Sequence, residues 1–236
     1  MPQALEVLGT GTIEPIGLLP YSSNFTFLVR VARGDDQVLA VYKPSRGERP
    51  LWDFPRGTLA AREVAAYLVS EAAGWHIVPP TVMRAEGPHG PGSLQLFIEH
   101  DPDRHYFVLM EERHEELRRF AAFDVVVNNA DRKAGHVLED PEGRLWAVDH
   151  GICFHVEPKL RTVIWGYADQ PLGAELRAEL EALGAKLADR RGLAGELTRL
   201  LSPGEAAATL DRLEALLVED RFPAPGPDRP LPWPLI

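Results

Sequence analysis

Hydrophobic residues in the first part of the chain gather in two short runs, residues 25–32 (FTFLVRVA) and residues 37–43 (QVLAVYK). Both runs have the composition of β-strands, and the polar residues 34–36 between them favour a turn, so the pattern predicts an antiparallel hairpin. Residues 58–73 then carry apolar side chains at helical spacing before Gly74, which predicts a helix that ends there. With a Pro/Gly-rich loop and a strand at 94–99, about the first hundred residues follow the order β-β-α-β-β.

The second half of the chain has a different pattern. A helix is predicted over roughly 111–127, and it leads into the polar cluster NNADRKAGH and then a short hairpin with its turn at 140–143. Leucines at helical spacing predict one amphipathic helix over about 176–187 and another over about 210–217. Ser202, Pro203 and Glu205 form a capping box with a first-turn proline ahead of the second helix. Six prolines fall in the last 14 residues, so residues 223–236 are expected to be irregular.

Composition restricts the function classes. The 236 residues are 45% hydrophobic and 25% charged, which is typical of a folded domain or of two small lobes. The formal net charge of −10 removes the broad cationic field that non-specific nucleic-acid binding requires. No long apolar stretch or signal-peptide pattern is present, and Cys153 is the single cysteine, so we expect a cytoplasmic protein without stable membrane insertion.

Lys43 is the first residue with candidate chemistry. It lies at the end of a predicted strand, and Glu63 follows twenty residues later on the predicted helix. A lysine on a strand can hold nucleotide phosphates while a helical glutamate fixes its position. The alternative is an ordinary surface lysine beside a surface glutamate.

The loop before the first strand is a second candidate. Ser22, Ser23 and Asn24 could supply side-chain donors, and the backbone N–H groups of a tight turn can form an anion-binding concavity. An ordinary hairpin turn is the alternative, because the segment contains no Gly-rich phosphate-binding motif.

The polar cluster after the predicted helix carries the strongest signal. Asp131, His136 and Asp149 lie in or just after NNADRKAGH and the hairpin, which brings the two acids into one site. Phosphoryl transfer needs a carboxylate to orient the acceptor hydroxyl and further ligands for Mg²⁺. Only three asparagines occur in the chain, and two of them, Asn128 and Asn129, open this cluster, which argues against a merely solvated turn.

Four segments together resemble a known family: VYKPSRGERP, REVAAYLVSEAAGWHIVPPT, NNADRKAGH and WAVDHGICF. They are similar to the phosphatidylinositol 3-/4-kinase catalytic domain, most closely to the type II phosphatidylinositol 4-kinases and their small bacterial relatives. The resemblance implies an α/β (α+β) protein with a two-lobe kinase-like fold. We expect a β-rich N-lobe over 1–99, a helical C-lobe over 100–222 and a Pro-rich tail over 223–236.

The resemblance also implies roles for individual residues. Lys43 corresponds to the lysine that holds the ATP phosphates and Glu63 to its helical partner, while Ser22, Ser23 and Asn24 correspond to the phosphate loop. Gln95, Phe97 and Glu99 fall in the adenine-contacting linker between the lobes. Asp131 corresponds to the catalytic acid, with Arg132 and Lys133 following it, and His136 and Asp149 correspond to metal-binding positions.

Two residues depart from the family pattern. His136 stands where the family usually has asparagine, and His150 stands in the middle of the family's metal-binding triplet.

The sequence therefore predicts an ATP- and Mg²⁺-dependent phosphotransferase, with Mn²⁺ as a possible replacement, acting on a hydroxyl of a protein, small molecule or lipid head group. The alternatives are a nucleotide-binding pseudokinase and a metal-dependent hydrolase, and the predicted pairing of Lys43 with Glu63 argues against the hydrolase.

Overall fold

The computed structural model describes residues 2–19 and 24–236. The first part of the chain forms a five-stranded antiparallel sheet with strand order β1-β2-β3-β5-β4. Its strands are β1 (Thr12–Leu18), β2 (Phe27–Arg33), β3 (Asp36–Pro44), β4 (Thr81–Arg84) and β5 (Gly92–Leu96). The predicted β2–β3 hairpin is confirmed, with Phe27 opposite Tyr42 and Arg33 opposite Asp36.

Helix α1 (Pro2–Thr10) and strand β1 were not predicted. Strand β1 lies at the edge of the sheet with almost all of its side chains exposed, and its register is irregular between Pro15 and Gly17. An edge strand that buries little has no reason to alternate apolar and polar residues, so its sequence carries no strand pattern. Helix α1 covers the sheet, where Val7 and Leu8 join a core with Val29 and Tyr42.

Helix α2 (Leu59–Ala73) joins the sheet to the helical part of the molecule. It ends as predicted, because Gly74 takes the left-handed conformation at φ 74° and closes the last turn through its N–H group. Ala65, Ala66 and Val69 are buried in the same core as the C-terminal helices, whereas Glu63 on this helix is a buried carboxylate.

The second part of the chain is mainly helical. Its elements are α3 (Tyr106–Glu112), α4 (His114–Val127), the hairpin β6 (Val137–Glu139) and β7 (Leu145–Ala147), and then α5 (Ala174–Ala188), α6 (Leu193–Leu200) and α7 (Pro203–Glu219). The helix predicted over roughly 111–127 is α4 and begins at His114, because Arg113 has non-helical backbone angles and separates it from α3. Helices α5 and α7 and the capping box of Ser202 and Glu205 are confirmed, and α6 was not predicted.

The two parts meet where the chain leaves strand β5. Ile98 is buried there against Leu138 and Trp146 of the β6–β7 hairpin. The molecule is therefore a mixed α/β protein with a β-rich first part and a helical second part, which confirms the predicted fold class. No helix among the described residues is long and apolar enough to cross a membrane.

The proline-rich tail forms no helix or strand. It nevertheless packs against the polar loop that follows α4. The N–H of Thr162 donates to the carbonyl of Pro230 at 3.1 Å, and the N–H of Ala134 donates to the carbonyl of Leu235 at 2.8 Å. These bonds fix the tail beside the segment that carries the candidate acidic residue.

Candidate functional site

Lys43 lies between two carboxylates that come from different parts of the fold. Its ammonium group bonds to Oε1 of Glu63 on α2, and it lies 2.9 Å from Oδ1 of Asp149, which follows strand β7. Glu63 uses its other oxygen, Oε2, to accept the backbone N–H of His150 at 3.0 Å. The ion pair predicted between Lys43 and Glu63 is therefore present, and Asp149 extends it across the junction of sheet and helices.

The three charges stabilise one another. Burial lowers the pKa of Lys43, but the negative charges of Asp149 and Glu63 outweigh burial and hold it above its ordinary value. The Lys43 ammonium in turn holds the pKa of Asp149 well below the ordinary carboxyl range. Asp149 has a positive φ of 61°, and 51% of its side chain is exposed, so this ionised carboxylate is accessible to solvent.

His136 lies beside the same carboxylate. Its Nε2 atom is 3.4 Å from Oδ2 of Asp149, and its side chain is 15% exposed. Burial, assisted by the positive charges of Arg132 and Lys133, lowers the pKa of His136 to about 4 although Asp149 opposes the shift. The imidazole is therefore neutral near pH 7, which is the form that coordinates a metal ion.

Asp131 lies in the loop after α4 and is held by its neighbours. Its backbone N–H donates to Oδ1 of Asn129 at 3.0 Å, and its Oδ2 is 3.3 Å from Nζ of Lys133. Burial raises the pKa of Asp131 to about 6, with a further contribution from Asp149 and opposition from Lys133. A carboxylate with this pKa is ionised at neutral pH yet able to accept a proton, which suits general base catalysis.

Arg132 requires a correction. The resemblance implies a place for Arg132 beside the catalytic acid Asp131, but the structure buries its side chain completely, against the carboxylate of Asp124. Its guanidinium bonds twice to Asp124, at 2.9 and 3.1 Å, and to the carbonyl of Val148 at 2.8 Å. A group with all these partners is a structural support of the loop rather than a ligand of a nucleotide.

The predicted linker residues occupy mixed positions. Gln95 is a second correction, because its side chain is buried in the sheet and donates to Oγ1 of Thr81 at 2.8 Å, so it is not free to contact a nucleotide. The N–H of Phe97 donates to the carbonyl of Leu39 at 2.9 Å, which continues the sheet by one residue. Glu99 is exposed just beyond it.

The predicted phosphate loop is described only in part. Ser22 and Ser23 lie outside the described residues. The side-chain oxygen of Asn24 accepts the backbone N–H of Arg49 at 2.7 Å, so in this structure it ties the start of β2 to the segment after β3.

Sequence reasoning missed Asp124, which positions the site. Asp124 is fully buried and accepts bonds from Asn129, Arg132 and Thr162. The available signal was an aspartate in the otherwise apolar run FAAFDVVV, since a charge on the buried face of a helix needs a specific partner. Asn129 links this buried acid to the N–H of Asp131, so the three residues form a continuous support.

The chain is similar to known proteins both in sequence and in fold. The sequence profile of the family described as Phosphatidylinositol 3- and 4-kinase matches residues 57–189. "Protein Rv2133c" of Mycobacterium tuberculosis is 41% identical, over 97% of this chain and 94% of that protein. "Phosphatidylinositol 4-kinase gamma 4" of Oryza sativa is 28% identical over 78% of this chain, and its namesake of Arabidopsis thaliana is 32% identical over 55%. The chain spans only 40% and 28% of these two plant proteins.

Solved structures share the fold at low identity. The Golgi casein kinase with Mn/ADP bound aligns with a TM-score of 0.58 and 13% identity, covering 92% of this chain and 74% of the other. The Helicobacter pylori proinflammatory kinase CtkA aligns with a TM-score of 0.52 and 10% identity, covering 91% and 94%. These values establish a common fold.

Proposed function

The chain belongs to the phosphatidylinositol 3- and 4-kinase family, and on this premise we propose that it transfers the γ-phosphate of ATP to a hydroxyl group in a reaction that requires Mg²⁺. The observation that carries the proposal is the position of Lys43 between Glu63 and Asp149. It places one fixed positive charge and one ionised, solvent-accessible carboxylate at the junction of sheet and helices. That combination is the minimum needed to hold a metal-bound triphosphate.

Each charged side chain has a separate task in this proposal. Lys43 binds phosphate oxygens, and Glu63 keeps its ammonium in place through their ion pair. Asp131 orients the acceptor hydroxyl and accepts its proton, because its pKa of about 6 leaves it ionised but basic. Lys133, 3.3 Å from Asp131, adds a positive charge on the side where the transferred phosphate would pass.

Asp149 and His136 are the residues that would hold a divalent cation. They offer one ionised carboxylate and one neutral imidazole nitrogen, a donor set that fits Mg²⁺ and, because of the nitrogen, also Mn²⁺. Among the described residues no third acid, histidine or cysteine joins them as a ready-made metal cluster, so phosphate oxygens and water would complete the shell. When bound, the cation supplies charge neutralisation on the phosphates.

A second candidate function is nucleotide binding without transfer. The specific observation in its favour is the imidazole of His136 at the position where the family usually has an asparagine amide. In that case the protein would act as a regulatory or scaffold module, and Asp131 would have no chemical role.

One experiment tests the first proposal and separates it from the second. The protein is incubated with γ-labelled ATP and Mg²⁺, alone and with lysate fractions, while its melting temperature is followed with ATP·Mg²⁺. We expect an increase in melting temperature, since a ligand that binds only the folded state stabilises it, and transfer of label to an acceptor. A shift without transfer under every condition favours the second candidate. The absence of any shift at millimolar nucleotide contradicts both.

A further inference from the structure

Helix α2 bonds at two points to residues 149–153, the stretch of chain that we call the Asp149 segment. Near its start, the N–H of His150 donates to Oε2 of Glu63 at 3.0 Å. At its end, the carbonyl of Cys153 accepts a bond from Nη1 of Arg62 at 2.6 Å. Arg62 and Glu63 are consecutive residues of α2, so one turn of this helix holds both ends of the segment.

The backbone between these two points lies directly against the helix. A Cβ atom added at Gly151 would be 3.4 Å from Cβ of Leu59 on α2, which is van der Waals contact. The carbonyl of Ile152 accepts the N–H of Ala130, in the loop after α4, at 3.0 Å. The Asp149 segment is therefore bonded both to α2 and to the loop that carries the proposed catalytic base.

Arg62 also connects α2 to helix α7. Its Nη2 atom forms an ion pair with Oε1 of Glu205, and its Nε atom donates to Oγ1 of Thr58 at 3.3 Å. The central carbon of the guanidinium lies 4.8 Å from the centre of the Phe54 ring. Only 1% of Arg62 is exposed, so all of these contacts are made away from water.

Glu205 is a fixed partner for this arginine. Its Oε2 accepts bonds from the N–H and the hydroxyl group of Ser202, at 2.9 and 2.8 Å, and its Oε1 is left for Arg62. Burial raises the pKa of Glu205, but the bonds from Arg62 and Ser202 outweigh burial and hold the pKa below its ordinary value. Glu205 is therefore ionised at neutral pH, and its contact with Arg62 joins two opposite charges.

Stability alone does not explain a buried pair of this kind. Removing two charges from water costs about as much free energy as their attraction returns, so apolar residues of similar volume often join two helices equally well. An apolar side chain at position 62 could not donate to the carbonyl of Cys153. The forked guanidinium binds this carbonyl and Glu205 at the same time in one fixed geometry, which a single ammonium group does not reproduce.

The backbone of Asp149 requires support from its surroundings. Its φ of 61° lies in the left-handed region, which is unfavourable for a residue with a side chain and persists where neighbouring contacts hold it. The bonds from Glu63 and Arg62 fall on the residues that follow Asp149 in the chain. They therefore limit how far this backbone can relax.

We propose that Arg62 is a positioning residue for the metal-binding carboxylate of Asp149, and that its ion pair with Glu205 makes metal-dependent nucleotide binding depend on α7. The proposal rests on the kinase function proposed above, because Asp149 is a metal ligand only in that function. Arg62 acts through the carbonyl of Cys153, while Glu63 holds the same segment through the N–H of His150.

The first test measures hydrogen exchange of the backbone amides in the protein without ligand. Arg62→Gln removes the charge and the fork, whereas Arg62→Lys keeps the charge opposite Glu205 but loses the second arm. Arg118→Gln is the matched control, because Arg118 also lies over aromatic rings and donates to buried acceptors, but its bonds go to residues 170–172.

We expect the amides of His150 and Phe154 to exchange at least about tenfold faster in Arg62→Gln than in the wild type, because the Asp149 segment opens more readily without its bond to Arg62. Arg62→Lys should change the same amides in the same direction. In Arg118→Gln any increase should be shared by amides throughout the protein. Wild-type exchange at these two amides in both Arg62 variants, or an equal increase at all amides, overturns the proposal.

The second test measures binding of a non-hydrolysable ATP analogue by calorimetry, with and without Mg²⁺, at a temperature where each variant is folded. Arg62→Gln and Glu205→Gln should weaken binding with Mg²⁺ at least about tenfold and leave binding without metal unchanged, because the displaced group is the metal ligand. Arg118→Gln should change neither affinity. A merely structural role for Arg62 would lower the melting temperature and leave both affinities of the folded protein as they are.

The two tests separate the failure of this proposal from the failure of the kinase function. Equal affinity with Mg²⁺ in the wild type, Arg62→Gln and Glu205→Gln overturns the positioning role, whatever the melting temperatures. If the wild type does not bind the analogue, the kinase function is contradicted. Hydrogen exchange then still decides whether Arg62 fixes the Asp149 segment.

Discussion

The guanidinium of Arg132 is paired with the carboxylate of Asp124 in an environment from which water is fully excluded. The same carboxylate accepts bonds from Asn129 and Thr162, each at 3.0 Å. Because Asn129 also binds the N–H of Asp131, the buried pair fixes the conformation of the loop that carries the proposed catalytic base. The position of Asp131 therefore depends on the buried ion pair of Asp124 and Arg132.

The first prediction concerns this pair. Asp124→Asn leaves Arg132 buried without a counter-charge, and the uncompensated charge should lower the free energy of unfolding by about 3–5 kcal/mol. Urea denaturation of the variant and of the wild-type protein measures the difference, and Arg190→Gln, at an exposed arginine, is the control. A loss below about 1 kcal/mol would show that water or another acceptor reaches Arg132 and that the pair is not a structural support.

The sequence predicted features that depend on local patterns. The β2–β3 hairpin, the end of α2 at Gly74 and the capping box at Ser202 each have a short signal in the chain, and each is confirmed. The pairing of Lys43 with Glu63 could be predicted because a lysine on a strand followed by a glutamate on the next helix is the pairing typical of kinase-type folds.

Features that depend on distant contacts were not predictable in the same way. Arg132 follows the catalytic position in sequence, yet its side chain turns towards Asp124 eight residues earlier, and only the packing of α4 determines that. The tail looked merely irregular because prolines form no regular pattern, whereas its contacts with Thr162 and Ala134 depend on the folded surface. As a result of this packing, Arg229 of the tail and Asp131 line one cavity.

The second prediction concerns Lys43. Lys43→Ala removes the positive charge at the phosphate position, so the increase in melting temperature caused by ATP·Mg²⁺ should fall strongly or vanish. Lys186→Ala is the matched control, because Lys186 is an exposed lysine bonded to the carbonyl of Ala72. Equal shifts in both variants would contradict a phosphate-binding role for Lys43.

The third prediction separates the two acids of the site. Asp149→Asn should weaken metal-dependent nucleotide binding, because a metal ligand already acts in the ground state. Asp131→Asn should leave nucleotide binding intact and lower the rate of transfer, because its carboxylate acts on the chemical step. Nucleotide affinity and single-turnover transfer are measured for each variant. Equal loss of affinity in both would refute this division of roles.

The fourth prediction follows from the raised pKa of Asp131. Its pKa of about 6 in the folded protein exceeds the ordinary value of 3.8, so the folded state prefers the protonated form. The resulting stability is complete below about pH 4 and is lost as pH rises through about 6. Asp131→Asn is neutral at every pH and should therefore raise the free energy of unfolding at pH 8 by up to about 3 kcal/mol, with little effect at pH 4.

Chemical denaturation at these two pH values measures the effect, with wild-type protein as the reference. A stability difference that is the same at pH 4 and pH 8 would contradict the raised pKa. The rate of transfer should move in the opposite direction and fall as pH drops through about 6, because only the ionised carboxylate accepts the hydroxyl proton. Ionisation of Asp131 is thus expected to lower the free energy of unfolding and to raise the rate of transfer.

The fifth prediction concerns the metal preference set by His136. Because its pKa is lowered to about 4, the imidazole stays neutral at pH 7, and metal-dependent binding should persist well below the ordinary titration range of histidine near 6.5. A nitrogen ligand favours Mn²⁺ over Mg²⁺, which prefers oxygen, so Mn²⁺ should support nucleotide binding at least as well as Mg²⁺. His136→Asn supplies an amide oxygen instead and should shift the preference towards Mg²⁺.

Nucleotide affinity is measured for both proteins with each metal at pH 7 and pH 5.5. If the ratio of the two affinities is the same in wild type and variant, His136 only positions Asp149 and is not a metal ligand.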